Sequence, residues 1–444
     1  MIAKTFKGLE DVLAEEIVAI GGNDVQKGRR AVSFRGDKSI LYKANIRLRT
    51  ASRVLVPIAT FRADDADEVY AKAKEIDWEQ YMTLSTTFSI DATVYSETFK
   101  HSRYVTYKVK DAIADFFNEK YQKRPSVRIV EPDLYINVHI ADRTVTVSLD
   151  SSGESLHKRG WRVATTEAPI SEALAAGMLL MAGWNGQSDL YDPMCGSGTI
   201  AIEAALIALN IPPGLFRKHF AFENWQDFNQ DLFDTLLSDD SDEREFNHKI
   251  YASDAGYYAI QAATKNVRSA GLQKYIELKQ IRLEEIRNQQ SAVSHQQTEG
   301  ALVVINPPYG ERLGQDKNIM DLYANIGTAL KHQFTGATAW IISANEEALK
   351  CIGLKPSQKI HLLNGELDCL YNKYELFSGE HKEWKKSQQP KANSQQPKKY
   401  DRQHPHTDKR VRLSAAGRKD SQVPSGTKRP QQAARVPRRT SKRG

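Results

Sequence analysis

The sequence predicts an α/β chain in which two small α+β modules precede a parallel sheet covered on both faces, with an unstructured basic segment after them. Three observations predict this. Over roughly the first 150 residues, short alternating runs take turns with runs at helical spacing; from about Ser155, helices alternate with short, wholly apolar strands; and after Lys385 few aromatic or β-branched residues remain.

In order along the chain, Ile2–Phe6 alternates as a strand, and Leu9, Val12, Leu13, Ile17 and Ile20 recur at helical spacing until Gly21-Gly22 stops the run. Strand-like Ala31–Phe34, helix-like Ile40–Leu48 and strand-like Val54–Phe61 complete a first module over residues 1–62. The second module, 63–154, reads as a helix at Glu68–Ile76, a strand at Thr87–Tyr95 and a helix at Tyr104–Tyr121. It closes on Leu134–Ile140, paired with Thr144–Leu149 through Ala141-Asp142-Arg143. In the third segment, 155–380, Ser171–Trp184 and Ile200–Leu209 are helices, and Leu190–Asp192, Lys249–Asp254 and Ala301–Asn306 end strands. No repeat recurs at a fixed period of 20–50 residues.

The chemistry is expected in this third segment. Asp192-Pro193-Met194-Cys195-Gly196-Ser197-Gly198-Thr199 lies where a strand gives way to a helix, and its two glycines let backbone approach a ligand at the helix N-terminus. Gly196-x-Gly198-x-x-Ala201 also satisfies the dinucleotide fingerprint. However, the acidic residue that fingerprint expects about 20 positions on comes only at Asp254, 56 residues after Gly198, with Asn210–His248 inserted between. Asn306-Pro307-Pro308-Tyr309 follows the apolar strand Ala301–Ile305. An exocyclic base amine is a poor nucleophile because its lone pair is delocalised, so a methylating site must orient that nitrogen. Asn306 offers a side-chain carbonyl and Pro307 a backbone carbonyl, Pro307-Pro308 hold the backbone extended, and Tyr309 offers a face to a base drawn out of its stack.

With these motifs the sequence resembles the THUMP-domain group of class I S-adenosylmethionine-dependent methyltransferases, and within it the guanine-N2 methyltransferases of large-subunit (23S) ribosomal RNA. The resemblance covers about residues 1–378. It also rests on Lys7-Gly8-Leu9-Glu10, His157-x-Arg159-Gly160-Trp161-Arg162, Ala168-Pro169-Ile170-x-Glu172-x-Leu174-Ala175, the run Asn306–Leu313 and Gly365-x-Leu367-Asp368-Cys369. It implies a ferredoxin-like module, a THUMP module for RNA and a Rossmann-like methyltransferase domain. It further implies that S-adenosylmethionine is the cofactor, with Asp192, Gly196 and Gly198 at its methionine part, Asp254 on the ribose and Pro169 against it. Asn306, Pro307, Pro308 and Tyr309 would hold the target guanine. Where relatives carry an acidic residue for the adenine, this chain presents Gln280, whose amide oxygen still accepts a hydrogen bond. The implied partner is 23S ribosomal RNA or a large-subunit assembly intermediate.

The net charge of +7 is unevenly placed: residues 385–444 hold 18 Lys/Arg against 3 Asp, so residues 1–384 carry 44 basic and 52 acidic side chains and a balance of −8. The basic segment suits sequence-blind contact with polyanion, or a solubilising tail. Lys158, Arg159, Trp161 and Arg162 mix cations with an aromatic ring, as an RNA surface does, and equally suit a linker snorkelling over a core. No run of about 18 apolar residues and no signal-like start is present, and three cysteines without a C-x-x-C pair leave no disulfide framework; a cytoplasmic protein away from the membrane is expected. Cys195 is expected to pack rather than react. The histidines lack metal-ligand spacing, so no metal is expected, and Asp239–Glu243 reads as a solvated loop without a role. Adenine-N6 methylation, transfer RNA as substrate, an assembly factor with a vestigial enzyme domain and, more distantly, a dinucleotide oxidoreductase stay open as alternatives.

Overall fold

The computed structural model describes residues 1–286, 300–310 and 316–377, and in them two seven-stranded sheets. The basic segment 385–444 lies outside the described residues. The first sheet contains β1 (Ile2–Lys4), β2 (Asn23–Gly28), β3 (Ala31–Arg35), β4 (Arg53–Arg62), β5 (Phe88–Tyr95), β6 (Leu134–Ala141) and β7 (Thr144–Asp150) in the order β2-β3-β1-β4-β7-β6-β5. With them run α1 (Glu10–Ala19), α2 (Lys38–Arg47), α3 (Ala66–Lys74) and α4 (Ser102–Tyr121). The two N-terminal modules thus share one sheet, joined where β4 pairs antiparallel with both β1 and β7. The β4–β7 register shifts between Pro57 and Ala59, where a proline without an N–H interrupts the ladder. Periodicity missed β2: Asn-Asp-Val-Gln-Lys-Gly is almost wholly exposed and is held by its hairpin to β3, not by burial.

The cores divide differently from the sheet. Ala3, Leu13, Ile17, Val32 and Phe34 belong to the same hydrophobic cluster as Leu174, Ile202 and Ile250 of the third segment, whereas Trp78, Phe88, Phe117 and Val138 form a separate core in the second module. Leu9 packs so closely on Gly177 that a Cβ there would sit 2.5 Å from the leucine side chain. The first module is therefore built onto the third segment.

The second sheet has β8 (Leu190–Asp192), β9 (Ile250–Asp254), β10 (Ile276–Gln280), β11 (Leu302–Ile305), β12 (Thr338–Ser343), β13 (Gln358–Asn364) and β14 (Leu367–Glu375), in the order β10-β9-β8-β11-β12-β14-β13. Its first five strands are parallel; β14 runs antiparallel to β12, and β13, antiparallel to β14, closes that edge. The helices are α5 (Glu172–Met181), α6 (Thr199–Ala208), α7 (Gln230–Ser238), α8 (Tyr257–Ser269), α9 (Asp316–Gln333) and α10 (Glu346–Cys351). Strand order reverses beside β8, between β9 and β11, which is where open α/β sheets bind ligands at their carboxyl ends.

The insertion ahead of β9 carries α7 and docks on α2: Tyr42 stacks on Phe222 at 4.5 Å and meets Phe233 edge-on at 5.9 Å. Its acidic run is not a loop without a role. Asp239 and Asp242 flank Arg47 of α2 at 3.3 and 2.7 Å. No helix among the described residues is long and apolar enough to cross a membrane.

Candidate cofactor and substrate site

The glycine loop leaves β8 at Asp192 and enters α6 through Gly198. Gly196 has φ +53°, and a Cβ on it would meet only Thr166 Oγ1 at 3.7 Å, so that glycine leaves room in a cavity. Gly198, expected beside it, does not line the cavity. With φ +83° it starts α6, and a Cβ there would stand 3.2 Å from Ala263 of α8, so its role is close helix packing.

Asp254, at the end of β9, ties the loop down: Oδ2 accepts the Gly196 N–H at 2.9 Å and Oδ1 the Gly256 N–H at 2.8 Å. Asp192 is 0% exposed, both of its oxygens lack a well-formed hydrogen bond, and burial followed by the Asp254 charge pushes its carboxyl well above the usual range. It stands behind the cavity wall rather than in it. Burial likewise pushes the Cys195 thiol well up, so the thiolate that nucleophilic attack needs is disfavoured.

A cavity of about 530 Å³, within the range of roughly 300–1,000 Å³ typical of small-molecule sites, opens at these strand ends. Pro169, Gly196 and Asp254 line it together with Asn306, Pro307, Pro308 and Tyr309. A second cavity of about 170 Å³ shares Met194 and Asp254 with it and continues to Ala255, Arg282, Leu283 and Glu284. Gln280, the expected adenine contact, lines neither cavity: it is exposed, with its Nε2 3.4 Å from the Ala255 carbonyl. The chain reaches the cavity two residues later, at Arg282.

The Asn306–Tyr309 segment is held from several elements. Tyr323 of α9 donates to the Pro308 carbonyl at 3.2 Å and bonds Ser343 Oγ at 2.6 Å, and burial pushes its phenol up to about 12. Asn345 Nδ2 donates to the Tyr309 carbonyl at 3.1 Å. The Tyr309 hydroxyl donates to Asn306 Oδ1 at 2.8 Å and accepts from Asn364 Nδ2 at 3.1 Å. Sequence reasoning missed Tyr323, Asn345 and Asn364; only Asn364 had a nearby signal, the Gly365 turn that follows it.

Three of the four expected RNA contacts are corrected. Arg159 and Trp161 are each 1% exposed: Arg159 pairs with Glu203 of α6 at 3.2 Å and donates to the carbonyls of Leu156 at 2.9 Å and Arg49 at 2.5 Å. Arg162 reaches the walls of the cavity, donating to Glu172 at 2.8 Å, Ser197 Oγ at 2.9 Å and Thr199 Oγ1 at 2.9 Å. Lys158 alone is exposed, and it pairs with Glu154. The segment is an interdomain linker, and its two arginines serve the interior.

Among the described residues no three His, Cys, Asp or Glu side chains cluster to hold a metal. Of the two carboxyls only Asp254 lines the cavity, where it can accept from hydroxyl or ammonium groups, and S-adenosylmethionine carries both. The strand order, the loop after β8, the carboxylate after β9 and the Asn-Pro-Pro-Tyr segment after β11 define a class I methyltransferase that uses S-adenosylmethionine.

Comparison with known families narrows the class. Residues 159–373 match the "RMKL-like, methyltransferase domain" family, 63–150 the THUMP domain and 1–55 the "RlmL ferredoxin-like domain". The chain belongs to the THUMP-containing class I RNA methyltransferases. It is 40% identical over 377 residues to a Synechocystis protein named as an RNA methyltransferase, covering 84% of this chain and 96% of that one. It is also 40% identical over 371 residues to the ribosomal RNA large subunit methyltransferase K/L of Syntrophotalea carbinolica, covering 82% of this chain but only 52% of that longer relative. A solved structure titled as a methyltransferase complexed with S-adenosylhomocysteine superposes with a TM-score of 0.75 at 28% identity, covering 85% of this chain and 98% of that one.

Proposed function

We propose that this RNA methyltransferase methylates the exocyclic N2 of a guanine in 23S ribosomal RNA, on the free RNA or on a large-subunit assembly intermediate. The observation that carries the reading is a single cavity lined by Gly196 and Asp254 together with Asn306–Tyr309. S-adenosylmethionine, held by Gly196 and Asp254, would supply an activated methyl group to N2, with S-adenosylhomocysteine as the leaving group and the displaced N2 proton passing to water. Asn306 Oδ1 and the Pro307 carbonyl accept from the amine and favour the positive charge that grows on it, while Tyr309 supports the base. Catalysis is then mainly positioning. The ribosomal choice is supported by the name of the Syntrophotalea relative and by a likeness that runs through both N-terminal modules.

Asp254 would accept from the ribose hydroxyls with the lone pairs left over after its two backbone bonds. Asp254→Ala should therefore weaken cofactor binding by about 1.5–3 kcal/mol, the worth of a hydrogen bond to a charged group. Titration calorimetry reads this, and unaltered affinity would displace Asp254 from the ribose site.

Residues 385–444 are proposed to hold RNA phosphates. Their deletion should flatten the fall of RNA affinity with salt, and an identical slope would return them to a solubilising role.

The reading as a whole is tested by presenting labelled S-adenosylmethionine with ribosomal RNA, transfer RNA or DNA from cells lacking this protein. Label in ribosomal RNA alone is the expected result; label in either of the others reassigns the substrate.

A further inference from the structure

Asn306 can serve an amine only if its carboxamide presents oxygen. Oxygen and nitrogen of a carboxamide are nearly the same size, so something must choose between the two orientations. The structure supplies a chain of two hydrogen bonds for that choice. Asn364, the last residue of β13, donates from Nδ2 to the Tyr309 hydroxyl at 3.1 Å, and that hydroxyl donates to Asn306 Oδ1 at 2.8 Å. A phenol has one proton: with its oxygen accepting from Asn364 and the Cys369 thiol also beside it, the hydroxyl gives that proton to Asn306, whose oxygen receives it.

We infer that Asn364 and the Tyr309 hydroxyl are positioning residues that lock the Asn306 carboxamide with its oxygen available to the target amine. The inference rests on the proposed role of Asn306 and deepens it by naming what sets its orientation.

The surroundings fit such a lock. Asn364 enters a two-residue turn at Gly365, whose φ is +65°, so its backbone is anchored by the β13–β14 ladder. The Tyr309 backbone is pinned by Asn345 Nδ2 at 3.1 Å, and Tyr323 pins Pro308. Burial, and then Cys369, push the Tyr309 phenol up, so it keeps the proton it donates. Asn364, Tyr309 and Asn306 all line the same cavity. One lone pair of Asn306 Oδ1 takes the Tyr309 proton and the other is left for the substrate.

The test uses the full-length protein with ribosomal RNA as methyl acceptor. Tyr309→Phe keeps the ring and removes the hydroxyl, and Asn364→Ala removes the donor that sets the direction. Each should lower kcat about tenfold, the upper end of what one hydrogen bond is worth, with KM for RNA within about twofold. Because both act through one bond to Asn306, the double variant should be no slower than about tenfold. Asn364→Asp is sharper still. An ionised carboxylate only accepts, so it turns the phenol proton away from Asn306, and kcat should recover as pH falls and the carboxyl regains a proton.

Wild-type kcat in Tyr309→Phe overturns the inference, as does a double variant slowed about a hundredfold, which would mean independent roles. Thermal unfolding separates loss of fold from loss of orientation. An active Asn306→Ala enzyme would instead sink the underlying role of Asn306, so the two failures read differently.

Discussion

Asn306→Ala is expected to lower turnover by about 100-fold or more while still binding S-adenosylmethionine. The expectation follows from where charge develops. The amine nitrogen gains positive charge as the new bond forms, and a fixed acceptor aimed at it stabilises the transition state more than the ground state; losing one such preorganised group in other sites costs on the order of 10²–10³ in rate. Asn306 makes neither of the two backbone bonds that hold Asp254, those from Gly196 and Gly256, so its truncation leaves both in place. Single-turnover transfer alongside titration calorimetry checks both halves of the statement. Unchanged turnover would remove Asn306 from the chemistry, and lost cofactor binding would make it a cavity wall.

The second large effect concerns stability. Arg159→Met should cost about 3–5 kcal/mol, the range found when one partner of a buried ion pair is removed. Arg159 and Glu203 are both fully buried, and Arg159 also satisfies the carbonyls of Leu156 and Arg49. Burial already pushes the Glu203 carboxyl up against the pull of Arg159. Without that guanidinium, Glu203 is left with the charge of buried Arg49 alone and is driven further toward taking up a proton, and three elements lose their shared clasp: the linker, α6 and the segment at Arg49. Lys158→Met, one residue away on an exposed pair with Glu154, should change stability by no more than about 0.5 kcal/mol. Chemical denaturation of the two variants measures the contrast, and equal effects would contradict the assigned burial.

These contrasts also mark what the sequence could tell. Helices such as Ser102–Tyr121 announce themselves because burial of one face imposes a period, and short strands such as Leu190–Asp192 because they are buried on both faces. The glycine loop and Asn306–Tyr309 are legible because their chemistry is local. β2 was illegible because a hairpin, not burial, holds it. Arg159 and Trp161 look like an RNA surface in one dimension because the fold alone decides whether a cation meets solvent or Glu203. Gln280 is expected only from the resemblance, as the residue standing where relatives carry an acid, and the backbone reaches the cavity two residues later. Tyr323, Asn345 and Asn364 come from three elements that converge only in space, and no spacing along the chain could have joined them to Asn306.

The most direct measurement is nucleoside analysis of ribosomal RNA from cells lacking this protein after incubation with the purified chain and labelled S-adenosylmethionine. The account predicts label in N2-methylguanosine and its loss with Asn306→Ala. Label in N6-methyladenosine would contradict the base assignment while keeping the site, and cofactor binding without transfer to any nucleoside would contradict the claim that this cavity methylates ribosomal RNA.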